Sequence, residues 1–293
     1  MSKIFVNIKE SQIAGALAIS YLLFNLIFWA YPFLWLVILS FTDWRFFDTP
    51  TFTGLRNLYS VIDDPEFLRS LWNVARFLAY YIPIVLASSL AFAFGLQHIG
   101  RGRAFVALCF LLAHISSGVA YSLVFTKIFS STGPLNLFLL EWFGFTIPWL
   151  SSPTFAMLSI SLVVTWKFVG YYGLILYSGL SAIPKEIYDA AKLDNTPPLT
   201  RLFKVTLPMI NSQLIMVLIF SITVAFGIFT EPYMMTGGGP LESTNTPMLV
   251  MYETAFSRLQ PNRAALMGII VALASYLVIK VIRKLMEKDV ELV

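Results

Sequence analysis

Apolar positions in this chain come in long continuous runs separated by short polar loops. A bilayer helix needs about 20 mostly apolar residues. Six stretches supply them, roughly 14–41, 74–96, 104–129, 154–180, 210–229 and 264–281. The pattern predicts an all-α, polytopic membrane protein of about six transmembrane helices. The loops are too short to fold alone, so residues 1–293 read as a single membrane domain. The first run is too long for a signal-peptide core, and no small-residue cleavage site follows it. Trp29, Tyr31, Trp35 and Trp44 follow instead, which predicts a retained helix.

Composition agrees. Hydrophobic residues make up 58% of the chain and charged residues 12%, about half the ~25% usual in soluble domains. The net charge of +4 does not signal nucleic acid. The basic residues sit in short loops and form no continuous stripe. Cys109 is the only cysteine, which rules out an internal disulfide. Inside an apolar run it reads as a small buried hydrophobe. Two histidines in different settings, His98 and His114, do not make a metal site.

Lys and Arg set the orientation, because they concentrate on the cytoplasmic side. Lys3, Lys9, Arg101, Arg103, Lys185, Lys192, Arg201, Lys204, Lys280, Arg283, Lys284 and Lys288 fall on one side, and Arg45, Arg56, Arg69, Arg258 and Arg263 on the other. The asymmetry supports an even number of spans with both termini cytoplasmic.

One loop, about 183–208, carries more information. Pro184 suits the first turn of a helix. Lys185 to Leu193 contains good helix formers, with Ile187, Ala190, Ala191 and Leu193 as an apolar stripe. Asn195 suits the left-handed residue that closes a helix, and Pro197-Pro198 prevents continuation. A short amphipathic helix on the cytoplasmic side is therefore predicted, with small alanines that let another surface approach.

This loop resembles the EAA motif of binding-protein-dependent ABC importer permeases of the sugar type. Asp189-Ala190-Ala191 stands for Glu-Ala-Ala, Asp194 for the later Asp, and Leu207-Pro208 for the closing pair. Asn195 and Thr196 replace the usual Gly and Ala. Further similarity lies in Phe52–Leu58, Asp64-Pro65-Glu66-Phe67, Asn73, Trp166–Gly170, Thr236–Thr244 and Asn262–Ala265, so the resemblance covers roughly 15–285. It implies a type I importer permease fold in a bacterial inner membrane. It implies a coupling helix using Glu186, Asp189, Ala190, Ala191, Asp194, Asn195, Leu207 and Pro208. The implied partners are a second permease subunit, two cytoplasmic ATPase subunits holding ATP and Mg, and a substrate-binding protein that delivers a carbohydrate. In that family the loop at Gly237, Gly238, Gly239 and Pro240 faces the binding protein.

Within the fourth run, Lys167 must face protein or a watery cavity, because a mid-membrane charge costs at least ~2.5–3.5 kcal/mol. With Trp166, Tyr171 and Tyr172 it is the candidate lining of a translocation path, since aromatic faces stack on sugar rings. Lys167 tilts the expected cargo toward an anionic sugar. The competing reading is structural, with these residues packing the core or bonding helix carbonyls. Asn25, His114 and Ser116 read as interhelical hydrogen-bonding groups. Glu231 and Pro232 mark the end of the fifth run. No phosphate-cradling G-x-x-x-x-G-K-[ST] occurs, so ATP hydrolysis is expected elsewhere. An ion-driven secondary transporter is the rival class, but such proteins carry ion ligands on unwound helices, and Lys167 is the only clear mid-span charge.

Overall fold

The computed structural model describes residues 2–286; Lys288, assigned above to the basic side, lies outside them. Helices α1 (Ser2–Asn25) and α2 (Tyr31–Ser40) are joined by a π-helical stretch, Leu26–Ala30, into one apolar rod. Two-residue strands β1 (Thr42–Asp43) and β2 (Thr51–Phe52) pair antiparallel, and α3 covers Arg56–Ile62. Then come α4 (Pro65–His98), α5 (Arg103–Ile115), α6 (Gly118–Ile128), α7 (Pro134–Phe143) and α8 (Pro153–Ala182). Helix α9 (Lys185–Leu193) precedes α10 (Pro198–Arg201), a π-helical stretch Leu202–Thr206, α11 (Leu207–Met209) and α12 (Asn211–Gly227). After these come α13 (Thr230–Thr236), α14 (Pro247–Tyr252), a further π-helical stretch Glu253–Ser257 and α15 (Pro261–Met286).

Among the described residues four helices are long and apolar enough to cross a membrane unbroken: Gln12–Ser40, Pro65–His98, Pro153–Ala182 and Pro261–Met286. The third and fifth apolar runs are bent pairs. Arg103–Ile115 and Gly118–Ile128 meet at 97°, and Pro198–Met209 and Asn211–Gly227 at 76°. The first bend has a local cause: Ser116 and Ser117 both take extended backbone, which no helix can run through.

The chain divides into two compact units, Met1–Asp64 with Met251–Ile270, and Pro65–Val250 with Val271–Val293. In the first, the Asn57 side-chain amide donates to the carbonyls of Ser40 and Thr42, at 2.9 and 2.8 Å. The Asn262 amide donates to Thr42 and to Asn57 Oδ1. Arg263 donates to Asp64 at 2.8 Å and to the Ser60 carbonyl. These polar clamps fix the turn between the first apolar rod and α3. Gln12–Ser40 itself is only 6% buried by its own chain, so its sides are free for lipid or another subunit.

In the second unit α8 is the hub, packed against α4 and α5. It is glycine-marked where neighbours come closest. A Cβ on Gly170 would fall 2.6 Å from Phe110 Cβ, on Gly173 2.4 Å from the Phe92 ring, and on Gly179 2.7 Å from the Gln213 side chain. Small residues of this kind allow close helix approach where lipid gives helices no hydrophobic drive to associate. Cys109 is exposed on α5, contrary to the expectation of a buried hydrophobe: it falls on the outward side of a helix whose inner side packs on α8.

Candidate functional site

The 183–208 loop folds as its residues dictate. Ile183 and Pro184 are extended, and α9 starts at Lys185. Its C-terminus is a Schellman closure. The Thr196 N–H donates to the Ala191 carbonyl at 3.0 Å and the Asn195 N–H to Lys192 at 2.9 Å, with Asn195 left-handed at φ 53°. Asn195 therefore does the work that glycine does in the motif.

Ala190 and Ala191 diverge. Ala191 is buried by its own chain, whereas Ala190 is exposed with Glu186 and Leu193, the last 84% exposed. Asp189 pairs with Lys192 at 2.9 Å. Asp194 is exposed and caps α9, and Leu207-Pro208 opens α11. The Tyr188 and Thr206 hydroxyls lie 3.3 Å apart and tie α9 to the segment leading into α12. Leu199 and Phe203, farther along the same loop, are also exposed, and sequence reasoning did not single them out. All of this sits at the His98 end of α4.

At the opposite end of α4 the glycine-rich loop is bound down. The Asn73 amide donates to the carbonyls of Glu242 and Asn245 at 2.7 and 2.8 Å, and Arg69 pairs with Glu242. Thr244 is fully buried and donates to the Gly239 carbonyl. Gly237 and Gly238 take left-handed backbone, at φ 58° and 83°, and Gly239-Pro240 is cis. The turn is thus held in place from below while Gly237, Leu241 and Glu242 stay exposed, Leu241 at 84%.

Between these ends lies a polar chain inside the bundle. Lys167 on α8 donates to the Tyr121 hydroxyl on α6 at 3.2 Å, and that hydroxyl donates to the carboxylate of Glu231, 7% exposed on α13. The ammonium also lies 4.8 Å from the Tyr121 ring centroid. Trp166 is exposed beside Phe125, with ring centroids 5.1 Å apart. Tyr171 stacks on His114 at 4.6 Å, while Tyr172 is fully buried and belongs to the core. The structure thus brings Lys167 together with Tyr121 and Glu231, which the sequence did not link. Lys167 and Glu231 are thus joined through the Tyr121 hydroxyl and not by a direct ion pair. Asn25 and Ser116 depart from expectation: Asn25 donates to the Tyr21 carbonyl of its own helix, and Ser116, just past the end of α5, to the Ala113 carbonyl. Among the described residues no cluster of metal-ligating side chains occurs.

Comparison with known proteins fits this arrangement. The chain is 32% identical to the lactose transport system permease protein LacF of Rhizobium radiobacter, over 80% of each chain. It is 31% identical to the probable ABC transporter permease protein YurN of Bacillus subtilis, over 76% of this chain and 78% of the other. The crystal structure of a bacterial alginate ABC transporter, in complex with an alginate pentasaccharide-bound periplasmic protein, contains a chain of the same fold. It superposes with a TM-score of 0.81 at 16% identity, covering 97% of both chains. The model of the family described as "binding-protein-dependent transport system inner membrane component" matches residues 13–292, and the chain belongs to that family.

Proposed function

We propose that this multi-pass chain forms half of the translocation pathway of an ABC importer for a carbohydrate, with α9 as the coupling helix. The reading rests above all on α9, a rigid, Schellman-closed helix that presents Ala190 and Leu193 outward at one end of the bundle. The relatives add support for the cargo: besides lactose, one is the diacetylchitobiose uptake permease NgcF of Streptomyces coelicolor, 28% identical over 84% of this chain.

In this proposal the His98 end of α4 is cytoplasmic, as the distribution of Lys and Arg requires, and so are both termini. Two separate ATPase subunits bind ATP and Mg and receive Glu186, Ala190 and Leu193 in a groove, with Leu199 and Phe203 at its rim. A second permease subunit, identical or related, completes the pathway and covers part of the bare rod 12–40. A substrate-binding protein docks at the opposite end, near Leu241. The 293 residues act as one permease domain. Closure of the ATPases moves α9, which is two residues from α8 and is tied through Tyr188 and Thr206 to the segment entering α12. A packed bundle answers such a push by switching between discrete arrangements. Trp166, Lys167 and Tyr171 line the path, and Tyr172 supports it from the core.

The test is Ala190→Trp in the assembled transporter. Uptake of radiolabelled oligosaccharide should be lost while the permease still inserts in the membrane, because a bulky side chain cannot enter the groove. Wild-type assembly and uptake in that variant would remove the coupling assignment.

A further inference from the structure

The loop around α9 encloses a feature that docking onto an ATPase does not use. A cavity of about 530 Å³ opens between the C-terminal end of α4, one side of α9, and residues 198–206. Lys185, Lys192, Arg201 and His98 reach its wall, with Asp189 as the one acidic group. Asp189 is already paired with Lys192. Among the described residues neither Lys185 nor Arg201 has an ion-pair partner. The Tyr188 and Thr206 hydroxyls complete the lining on the bundle side.

The cavity and the exposed coupling surface occupy different faces of α9. At about 100° per residue, Lys185, Tyr188, Asp189 and Lys192 share one face, and Glu186, Ala190 and Leu193 share another roughly 120° away. A ligand in the cavity would therefore leave Ala190 and Leu193 free.

We propose that this cavity binds a phosphate group, which braces α9 against the end of α4 and the 198–206 segment. Phosphate suits the wall chemically. A guanidinium offers paired donors to its oxygens and an ammonium offers a point charge, while the hydroxyls donate further bonds. The group can come from an anionic lipid headgroup or from a soluble phosphate.

Hydrogen exchange on the whole nucleotide-free transporter tests this, read over residues 185–206. Samples are nanodiscs of phosphatidylcholine alone, the same with phosphatidylglycerol, and the same with inorganic phosphate against chloride at equal ionic strength. Protection over 185–206 with phosphatidylglycerol alone assigns the site to a lipid headgroup, and protection with inorganic phosphate assigns it to a soluble ligand. In the double variant Lys185→Gln/Arg201→Gln the concentration giving half protection should rise about tenfold or more, the loss expected for each charge-assisted bond removed. Lys185→Arg should restore most of it. Equal protection in wild type and the double variant would overturn the proposal. So would the absence of protection by either probe in wild type, which decides the matter even where the double variant fails to assemble. Because Ala190 is untouched in these variants, retained uptake separates failure here from failure of the coupling reading.

Discussion

The Tyr121 hydroxyl donates to the buried Glu231 carboxylate across two helices that sequence places far apart, α6 and α13. The contact is reinforced one turn away, where Gly118 lies against Thr230: a Cβ on Gly118 would stand 3.1 Å from Thr230 Cγ2. Tyr121→Phe leaves the acid without this donor. A buried polar group deprived of its partner costs about 1–3 kcal/mol, so the variant should unfold at lower temperature than wild type. In the double variant Tyr121→Phe/Glu231→Gln the loss should be less than the sum of the single losses, because coupled partners do not add. A double-mutant cycle on the melting temperature of the purified transporter measures this, and strict additivity would mean the two side chains do not interact.

Lys167 belongs to the same chain of bonds, with its ammonium 3.2 Å from the Tyr121 hydroxyl. Lys167→Met removes a donor and leaves the aromatic surroundings. If Lys167 lines the path, the KM for transported sugar should rise several-fold while the transporter remains folded. A larger rise for an acidic sugar than for a neutral one would support the anionic cargo that the lysine suggests, and an equal rise would remove it.

The sequence revealed some of this and hid the rest for physical reasons. Span existence follows from hydropathy, which depends on composition alone, and the left-handed Asn195 follows from local backbone preference. The break at Ser116-Ser117 is silent because two serines in an apolar run are compatible with continuous helix. The Lys167–Tyr121–Glu231 chain is silent because it joins residues brought together only by packing. A mid-membrane lysine announces that it needs partners but does not identify them. Likewise the stripe Ile187, Ala190, Ala191, Leu193 did not reveal that Ala191 turns inward, since periodicity gives relative angles and not which face meets the bundle.

Glycines on α8 give a steric prediction. Gly173 lies so close to Phe92 and to the Ser89 carbonyl that an added Cβ must displace them. Gly173→Val should therefore separate α8 from α4, at a cost of about 1–3 kcal/mol for overpacking. Gly227→Ala is the control, since its Cβ would meet nothing within 4 Å. The yield of folded protein after detergent extraction should fall for the first and hold for the second. Equal yields would mean that α8 and α4 do not approach closely at Gly173.

Asn195 offers the sharpest local test. Its left-handed backbone lets the Asn195 and Thr196 N–H groups reach the Lys192 and Ala191 carbonyls. Glycine takes this conformation freely, and asparagine takes it more readily than other side chains, whereas a β-branched residue pays a steric penalty of about 1–2 kcal/mol. Asn195→Gly should leave uptake at or near wild type, and Asn195→Val should fray the end of α9. If α9 is the coupling helix proposed above, fraying reduces the stiffness with which it would pass ATPase closure to α8 and α12. The expected signature for Asn195→Val is ATP hydrolysis that continues while sugar uptake per ATP falls. Uptake and hydrolysis falling together in both variants would show that the asparagine side chain itself, and not its backbone conformation, is what α9 requires.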